Sequence, residues 1–167
     1  LYGVFITLFA HRVFFFDVGP EDITPLLWVV MGAAAISTNA GSTLLLVDSG
    51  VPFLVAMRPF IDGVTLIMWA WGTWWIPLLI LFGLWKHGVR REPLRYTPML
   101  WSLVFPLGMY ALASLRLSLA SEFSPLRTVA QAMVWIALAV WTLTAAALAR
   151  AVWRGLRQAL AAPALQG

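Results

Sequence analysis

The chain contains no cysteine, and only 11% of its 167 residues are charged. Without cysteine it can form neither disulfides nor thiolate metal sites, and it has no cysteine nucleophile. Its two histidines, His11 and His87, each stand beside Arg or Lys at the end of an apolar segment. No metal-ligand cluster can be assembled from them, and the sequence predicts neither a metal nor another cofactor.

The scarcity of charge is matched by an excess of apolar residues. Hydrophobic residues make up 62% of the chain, including ten tryptophans and ten phenylalanines, whereas soluble domains are about 25% charged. This composition predicts a polytopic membrane protein whose first partner is the lipid bilayer. The net charge of +4 does not indicate a nucleic-acid partner, because the basic residues stand at the ends of apolar segments, as topology signals do.

Five apolar segments predict an all-α integral membrane fold in a single transmembrane domain over residues 1–160. We expect one partial helix and four full ones, with links over 17–22, 48–59, 87–95 and 118–125 and a flexible cytoplasmic tail over 161–167. The expected helices span about 1–16, 24–47, 61–86, 96–118 and 126–156. Since the chain starts inside an apolar run without a signal peptide, we interpret it as the back part of a longer protein.

The fourth segment has no charge between Arg95 and Arg116 and carries a proline, Pro106, at its middle. Its 20 uncharged residues reach about 30 Å, the thickness of a bilayer core. An interior proline frees the carbonyl four residues back, here that of Ser102, and a membrane helix tolerates this beside neighbouring helices or a water-lined cavity. Phe105 precedes the proline, and we predict a bend with this ring turned towards a pore.

The second segment carries a face of small and hydroxylated side chains, at Met31, Ala34, Ala35, Thr38 and Ser42. Such a face permits close packing of helices, and it also suits the wall of an aqueous path. Considered alone it favours packing. The third segment holds four tryptophans around Gly72, which indicates an outer helix facing lipid or another subunit: Trp69, Trp71, Trp74 and Trp75.

Lys and Arg counts in alternate links predict the topology. Eight of these residues fall on the side that holds the 86–95 loop and the C-terminal flank, and three fall on the other side. The C-terminus is therefore expected in the cytoplasm. Arg116 reads either as an interfacial arginine or as a charge at the outer mouth of a path, eleven residues and about 16 Å beyond Phe105 on the same helix face.

Three motifs resemble one family in their sequence and their order. They are residues 25–36 (PLLWVVMGAAAI), 74–77 (WWIP) and 101–110 (WSLVFPLGMY). They are similar to an inner helix, an outer helix and the kinked pore helix of the tellurite-resistance/dicarboxylate transporter family, whose plant branch is the slow-type anion channels. The resemblance implies ten helices in five hairpins around a pore, with this chain corresponding to the end of the sixth helix and the seventh to tenth. One copy cannot close such a ring.

The resemblance also implies a site. The phenylalanine before the proline plugs the family's pore, and Phe105 holds that position. The expected gate residues are Phe105, Pro106, Gly108, Ser102 and Met109. The expected lining residues are Met31, Gly32, Ala35, Thr38 and Ser42, with Arg116 as a candidate for the outer-mouth charge. The implied substrate is an anion, and the implied assembly of the full-length protein is a homotrimer.

The sequence thus favours transport of anions, and the alternative is a polytopic membrane enzyme or a non-transporting subunit. An intramembrane enzyme needs a nucleophile with its base, metal ligands or paired carboxylates, and no charge-free segment supplies them. The sequence leaves open which anion is carried, from C4-dicarboxylate to small inorganic ions and tellurite-linked export. It also leaves open the choice between a channel and a proton-coupled carrier.

Overall fold

The computed structural model describes residues 2–17, 19, 21–47 and 50–161. Within them the chain is helical and has no strand, so the predicted all-α membrane fold is confirmed. The helices are α1 (Tyr2–Phe15), α2 (Trp28–Leu46), α3 (Pro52–Leu84), α4 (Trp101–Ala120) and α5 (Pro125–Ala161). Each of α2 to α5, with the short turns that flank it, is long and apolar enough to cross a membrane, and α1 is shorter.

Helix α3 begins well before the predicted start at residue 61. Pro52 stands in its first turn, where the missing N–H costs nothing, and Val51 before it is extended. Pro59 lies inside the helix, and the carbonyl it frees belongs to Val55, which is exposed. The predicted link over 48–59 is therefore mostly helix, while residues 48–49 and the expected tail from residue 162 lie outside the described part.

The helices α2 and α4 begin with the same five-residue pattern. Residues 24–28 read TPLLW and residues 97–101 read TPMLW, 73 positions apart. In both, an extended threonine is followed by a single 3-10 turn that starts at proline, and the tryptophan opens the α-helix. Proline fits the first turn of a helix because its nitrogen needs no partner there. The two helices therefore start in the same way and at equivalent positions.

Helices α2 and α4 lie side by side and run parallel. Gly32 contacts Pro106 near the first third of both helices, and Thr43 is hydrogen-bonded to Arg116 near their ends. The number of positions that separates the two residues of each pair equals, to within one, the 73 positions that separate the two starting patterns. Helix α3 runs antiparallel to α2, because Gly41 meets Thr65 and Gly72 meets Ala34. Helix α5 packs along α4.

The chain therefore contains two consecutive helical hairpins, α2–α3 and α4–α5, related by the offset from Thr24 to Thr97, here called the hairpin repeat. Polar contacts join the hairpins across α3 and α4. The indole N–H of Trp69 donates to Oγ of Ser114 at 2.9 Å, and the hydroxyls of Thr73 and Tyr110 are 2.7 Å apart. Helix α1 packs beside α2 and α3, where the Tyr2 hydroxyl donates to the carbonyl of Val30 at 3.0 Å.

We expect the tryptophans of an outer helix to point outwards, but not all the tryptophans of α3 do so. Trp74 is 66% exposed, but Trp75 is fully buried. Its ring contacts Phe9 of α1, with the ring centroids 5.3 Å apart. Trp69 is turned towards α4 by its hydrogen bond to Ser114. Helix α3 is thus outer on one side only, because α1 and α4 cover its other side.

The contact between Thr73 and Tyr110 generates a prediction about stability. Tyr110→Phe removes the hydroxyl and is expected to destabilise the fold by about 0.5–1.5 kcal/mol, the usual range for a hydrogen bond between membrane helices. The measurement is unfolding of the purified protein in mixed micelles. In a double-mutant cycle, Thr73→Val should cost little more once the tyrosine hydroxyl is absent. Full additivity of the two substitutions would contradict the contact.

Candidate functional site

Helix α4 has one face that no other described helix covers. Its side towards α2 holds Pro106, Ala113 and Leu117, and its side towards α3 holds Tyr110 and Ser114, all buried. Helix α5 lies along a third side. The remaining side, here called the open face of α4, is centred on the exposed Phe105 and carries residues that share one wheel direction. The half-buried Met109 and Arg116 lie at its border with α2, and Gly108 and Leu112 lie at its border with α5.

The Phe105 ring is 57% exposed on this open face, next to a proline that is fully buried. Helix α4 continues through Pro106 from Trp101 to Ala120. Proline has no N–H, so it cannot bond to the carbonyl of Ser102. The Ser102 hydroxyl donates to the Met99 carbonyl at 2.6 Å. The other predicted gate residues lie within four positions of Phe105 on the same helix, so their closeness follows from the sequence alone: Ser102, Pro106, Gly108 and Met109.

Gly32 of α2 is what allows the proline to pack so deeply. A Cβ atom at this position would lie 2.9 Å from Cγ and 3.0 Å from Cβ of Pro106, closer than Cβ atoms normally approach. The absence of a side chain at Gly32 thus permits the proline ring to rest directly on the backbone of α2. Because Phe105 precedes this proline, the same contact holds the direction of the Phe105 ring.

Arg116 lies on the open face, 11 positions after Phe105, or about 16 Å along the helix. Its Nη1 donates to Oγ1 of Thr43 at 2.8 Å. The ion pairs in the part of the chain that the structure describes are Arg12–Asp22 and Lys86–Glu92. No carboxylate there balances the Arg116 charge. A cation within a candidate membrane helix is costly in lipid.

The predicted lining residues of α2 are found inside the helix packing. The exposed fraction is at most 2% for each of Met31, Ala35, Thr38 and Ser42. Gly32 lies under the proline ring. The structure therefore favours packing for this face, which is one of the two alternatives that the sequence leaves open. The side of α2 that stays uncovered carries other residues, among them Val29, Ile36, Ala40 and Leu44.

Sequence reasoning missed Thr43 as the partner of Arg116. The signal that identifies it is the shared TPxLW start, because the hairpin repeat makes Thr43 the counterpart of Arg116 and Gly32 the counterpart of Phe105. Two further polar atoms near Thr43 are buried without a hydrogen-bond partner among the described residues, Oδ1 of Asn39 and Oγ of Ser42. The last two turns of α2 therefore carry three polar side chains, Asn39, Ser42 and Thr43, of which Thr43 bonds to Arg116.

The opposite ends of α2 and α4, where both helices begin, meet at the basic loop. Lys86 donates to the carbonyl of Ile23 at 2.8 Å and pairs with Glu92 at 3.4 Å. A cavity of about 250 Å³ lies between these groups and is lined by Thr24, Lys86, His87, Arg95 and Thr97 among others. Helix starts favour the approach of anions because their free N–H groups carry a partial positive charge. Within the described ranges, no group of three or more metal-binding side chains occurs.

The contact between Gly32 and Pro106 generates a second prediction about stability. Gly32→Ala places a methyl group where the proline ring lies, and we expect a loss of about 1–3 kcal/mol from overpacking. The matched control is Gly63→Ala in α3, where an added Cβ meets nothing within 4 Å, so stability should stay equal or rise slightly. The measurement is unfolding in mixed micelles, and equal stabilities of the two variants would contradict the tight contact.

The voltage-dependent anion channel family model matches residues 1–149 of the chain. The uncharacterized membrane protein MT1776 of Mycobacterium tuberculosis (strain CDC 1551 / Oshkosh) is 40% identical over 144 residues, which cover 86% of this chain and 73% of that protein. The uncharacterized membrane protein Rv1735c of Mycobacterium tuberculosis (strain H37Rv) matches to the same extent. The uncharacterized transporter MJ0762 of Methanocaldococcus jannaschii is 23% identical over 144 residues, covering 86% of this chain and 40% of that protein. No solved structure matches significantly. The chain belongs to the voltage-dependent anion channel family.

Proposed function

We propose that the chain forms one wall of a transmembrane path for anions and that the Phe105 ring closes this path. The observation that supports the proposal is the open face of α4, where an exposed phenylalanine lies in line with an arginine that has no carboxylate partner in the described part. An apolar ring at a narrow point excludes water and so blocks ions. A fixed positive charge further along raises the local concentration of anions.

The gate in this proposal consists of Phe105 held by Pro106, with Gly108, Ser102 and Met109 around it. Gly108 has no side chain and an added Cβ there would meet nothing within 4 Å, so the helix is thin beside the ring. This space lets the ring change rotamer without moving the helix backbone. Arg116 with Thr43 forms the outer-mouth charge of the same path.

The substrate in this proposal is a C4-dicarboxylate or a small inorganic anion, and tellurite-linked export belongs to the same class. Transport is passive or coupled to protons. The full-length protein is proposed to be a homotrimer in the inner membrane of the cell, with a cytoplasmic C-terminus on the side of the basic loop. We propose no enzymatic activity, since no described segment places a nucleophile beside a base.

Removal of the Phe105 ring provides the main test. Phe105→Ala in the full-length protein is expected to raise anion current several-fold, because the apolar obstruction is gone. A ring that is more than half exposed contributes little packing, so folded protein should be retained. The measurement is current per molecule of surface protein in oocytes or planar bilayers.

The matched control is Phe60→Ala in α3, which is similarly exposed but lies away from the open face. It should leave the current unchanged. Unchanged current in Phe105→Ala together with a loss of about 3–5 kcal/mol in stability would identify Phe105 as a packing residue and reject the gate.

Neutralisation of Arg116 tests the mouth of the path. Arg116→Gln should lower anion current at low salt by about fivefold, the effect of one unit charge worth about 1 kcal/mol near an anion in water. The loss should shrink at high salt because of screening. The control is Arg127→Gln, an exposed arginine at the same end of the hairpin. Equal currents for both variants at every salt concentration would show that Arg116 does not act on the substrate.

A further inference from the structure

Helices α3 and α4 separate at the end that carries the basic loop, and a cavity lies between them there. Further along, side-chain hydrogen bonds such as that of Thr73 with Tyr110 hold the two helices together. The same antiparallel register places Ile80 opposite Leu103, but these two residues line a cavity of about 310 Å³. Both helices and the loop that joins them belong to the middle of the chain, so this cavity is enclosed by consecutive elements.

The cavity is apolar towards the helices and polar towards the loop. Leu79, Phe82 and Leu103 are among the residues that line its apolar half. Lys86 and His87 line this cavity and also the loop-side cavity of about 250 Å³. The two spaces therefore share walls and form one amphipathic site, here called the loop cavity.

The order of apolar and polar groups in the loop cavity matches the order within a lipid leaflet. Residues 63–85 and 96–115 contain no charge, whereas residues 86–95 carry five basic side chains counted with His87 removed. Charge-free helices that meet a basic loop place the bilayer interface at that junction. The polar half of the cavity therefore lies at the depth of lipid head groups, and the apolar half lies at the depth of the acyl chains.

Basic side chains dominate the polar half. Lys86, His87 and Arg95 line it. The carboxylate among the lining residues is Glu92, which pairs with Lys86 at 3.4 Å. No carboxylate among the described residues pairs with Arg95. The balance of charge in the polar half therefore favours an anionic group.

Two threonine hydroxyls add hydrogen-bond donors to the same half. Thr24 and Thr97 stand immediately before the first turns that lead into α2 and α4, where a threonine side chain commonly caps the helix. Neither side chain makes such a bond, and both residues line the polar half. Their hydroxyls can therefore donate to the oxygen atoms of a bound group.

We propose that the loop cavity binds an anionic phospholipid, with its phosphate beside Lys86 and Arg95 and an acyl chain between α3 and α4. Basic pockets between membrane helices bind acidic head groups in this way. A small anion would use only the polar half, whereas a phospholipid also covers the apolar walls. The lipid would join the two hairpins where α3 and α4 do not touch. The proposal does not rest on the Phe105 gate.

Binding of phosphatidylglycerol to the full-length protein in detergent tests the head-group half by native mass spectrometry. Phosphatidylcholine with the same acyl chains is the neutral comparison, and it should bind at least fivefold more weakly. Arg95→Gln should weaken phosphatidylglycerol binding about fivefold, the effect of one basic residue near an anionic lipid. The matched control is Arg91→Gln, which removes an equally exposed charge of the same loop that does not line the cavity. It should bind like the wild type.

A pair of glycine substitutions tests the acyl-chain half. Gly83 lines the apolar half, and Gly63 lies elsewhere on α3. An added Cβ meets nothing within 4 Å at either position. Gly83→Phe should fill the cavity and weaken phosphatidylglycerol binding at least tenfold, whereas Gly63→Phe should not. Thermal unfolding without added lipid verifies that each variant is folded, and the exposed Arg95→Gln decides the matter if Gly83→Phe is not.

Glycerol phosphate distinguishes a lipid site from a site for a free anion, because it carries a phosphate without acyl chains. It should fail to displace phosphatidylglycerol at a hundredfold molar excess over the lipid. Displacement at equal concentration would overturn the proposal in favour of a small anion. Equal binding of the two phospholipids would also overturn it, as expected if another part of the protein fills the cavity. So would equal losses in Arg95→Gln and Arg91→Gln, or undiminished binding to a folded Gly83→Phe.

Discussion

The packing of Pro106 on Gly32 is the contact on which the other features depend. It sets the register of two parallel helices, and that register brings Thr43 to Arg116 at the far end of the pair. It also turns the preceding residue, Phe105, away from the helix packing. A larger side chain at Gly32 separates the two helices and affects all three features together. A single missing Cβ therefore couples packing, charge placement and the direction of the ring.

The open face of α4 combines two kinds of side chain that lipid treats differently. Phe105 and Leu112 are acceptable in hydrocarbon, whereas an arginine in a membrane helix costs about 2.5–3.5 kcal/mol even by the mildest scale. Thr43 supplies one neutral hydrogen bond, and no carboxylate among the described residues pairs with Arg116. Facing a polar path or another protein surface removes this cost. The other three sides of α4 are apolar or have their polar groups hydrogen-bonded, so only the open face needs a polar environment.

Much of the architecture follows from the sequence, and the parts that do not have physical causes. Charge-free runs predict the helices, and the 100° step of a helix predicts that Arg116 shares a face with Phe105. The turn-forming residues around Pro52 indicate a link, although proline equally starts a helix. A helical wheel identifies the face of Met31 and Ser42 but not the neighbour that covers it. Trp75 escapes prediction for the same reason, since only the packed fold shows that α1 covers it.

The order of synthesis gives the hydroxyl groups of α2 a role before α4 has been made. Helix α4, which packs against α2 and α3, leaves the ribosome later than they do. The stretch from Leu84 to Ala120 takes a few seconds to make at about 5–20 residues per second. During that interval α4 is not yet present to cover Thr38 and Thr43. Each donates to a carbonyl of its own helix, those of Ala34 and Asn39. The first hairpin therefore has no unpaired hydroxyl donor at these two positions before α4 packs against it.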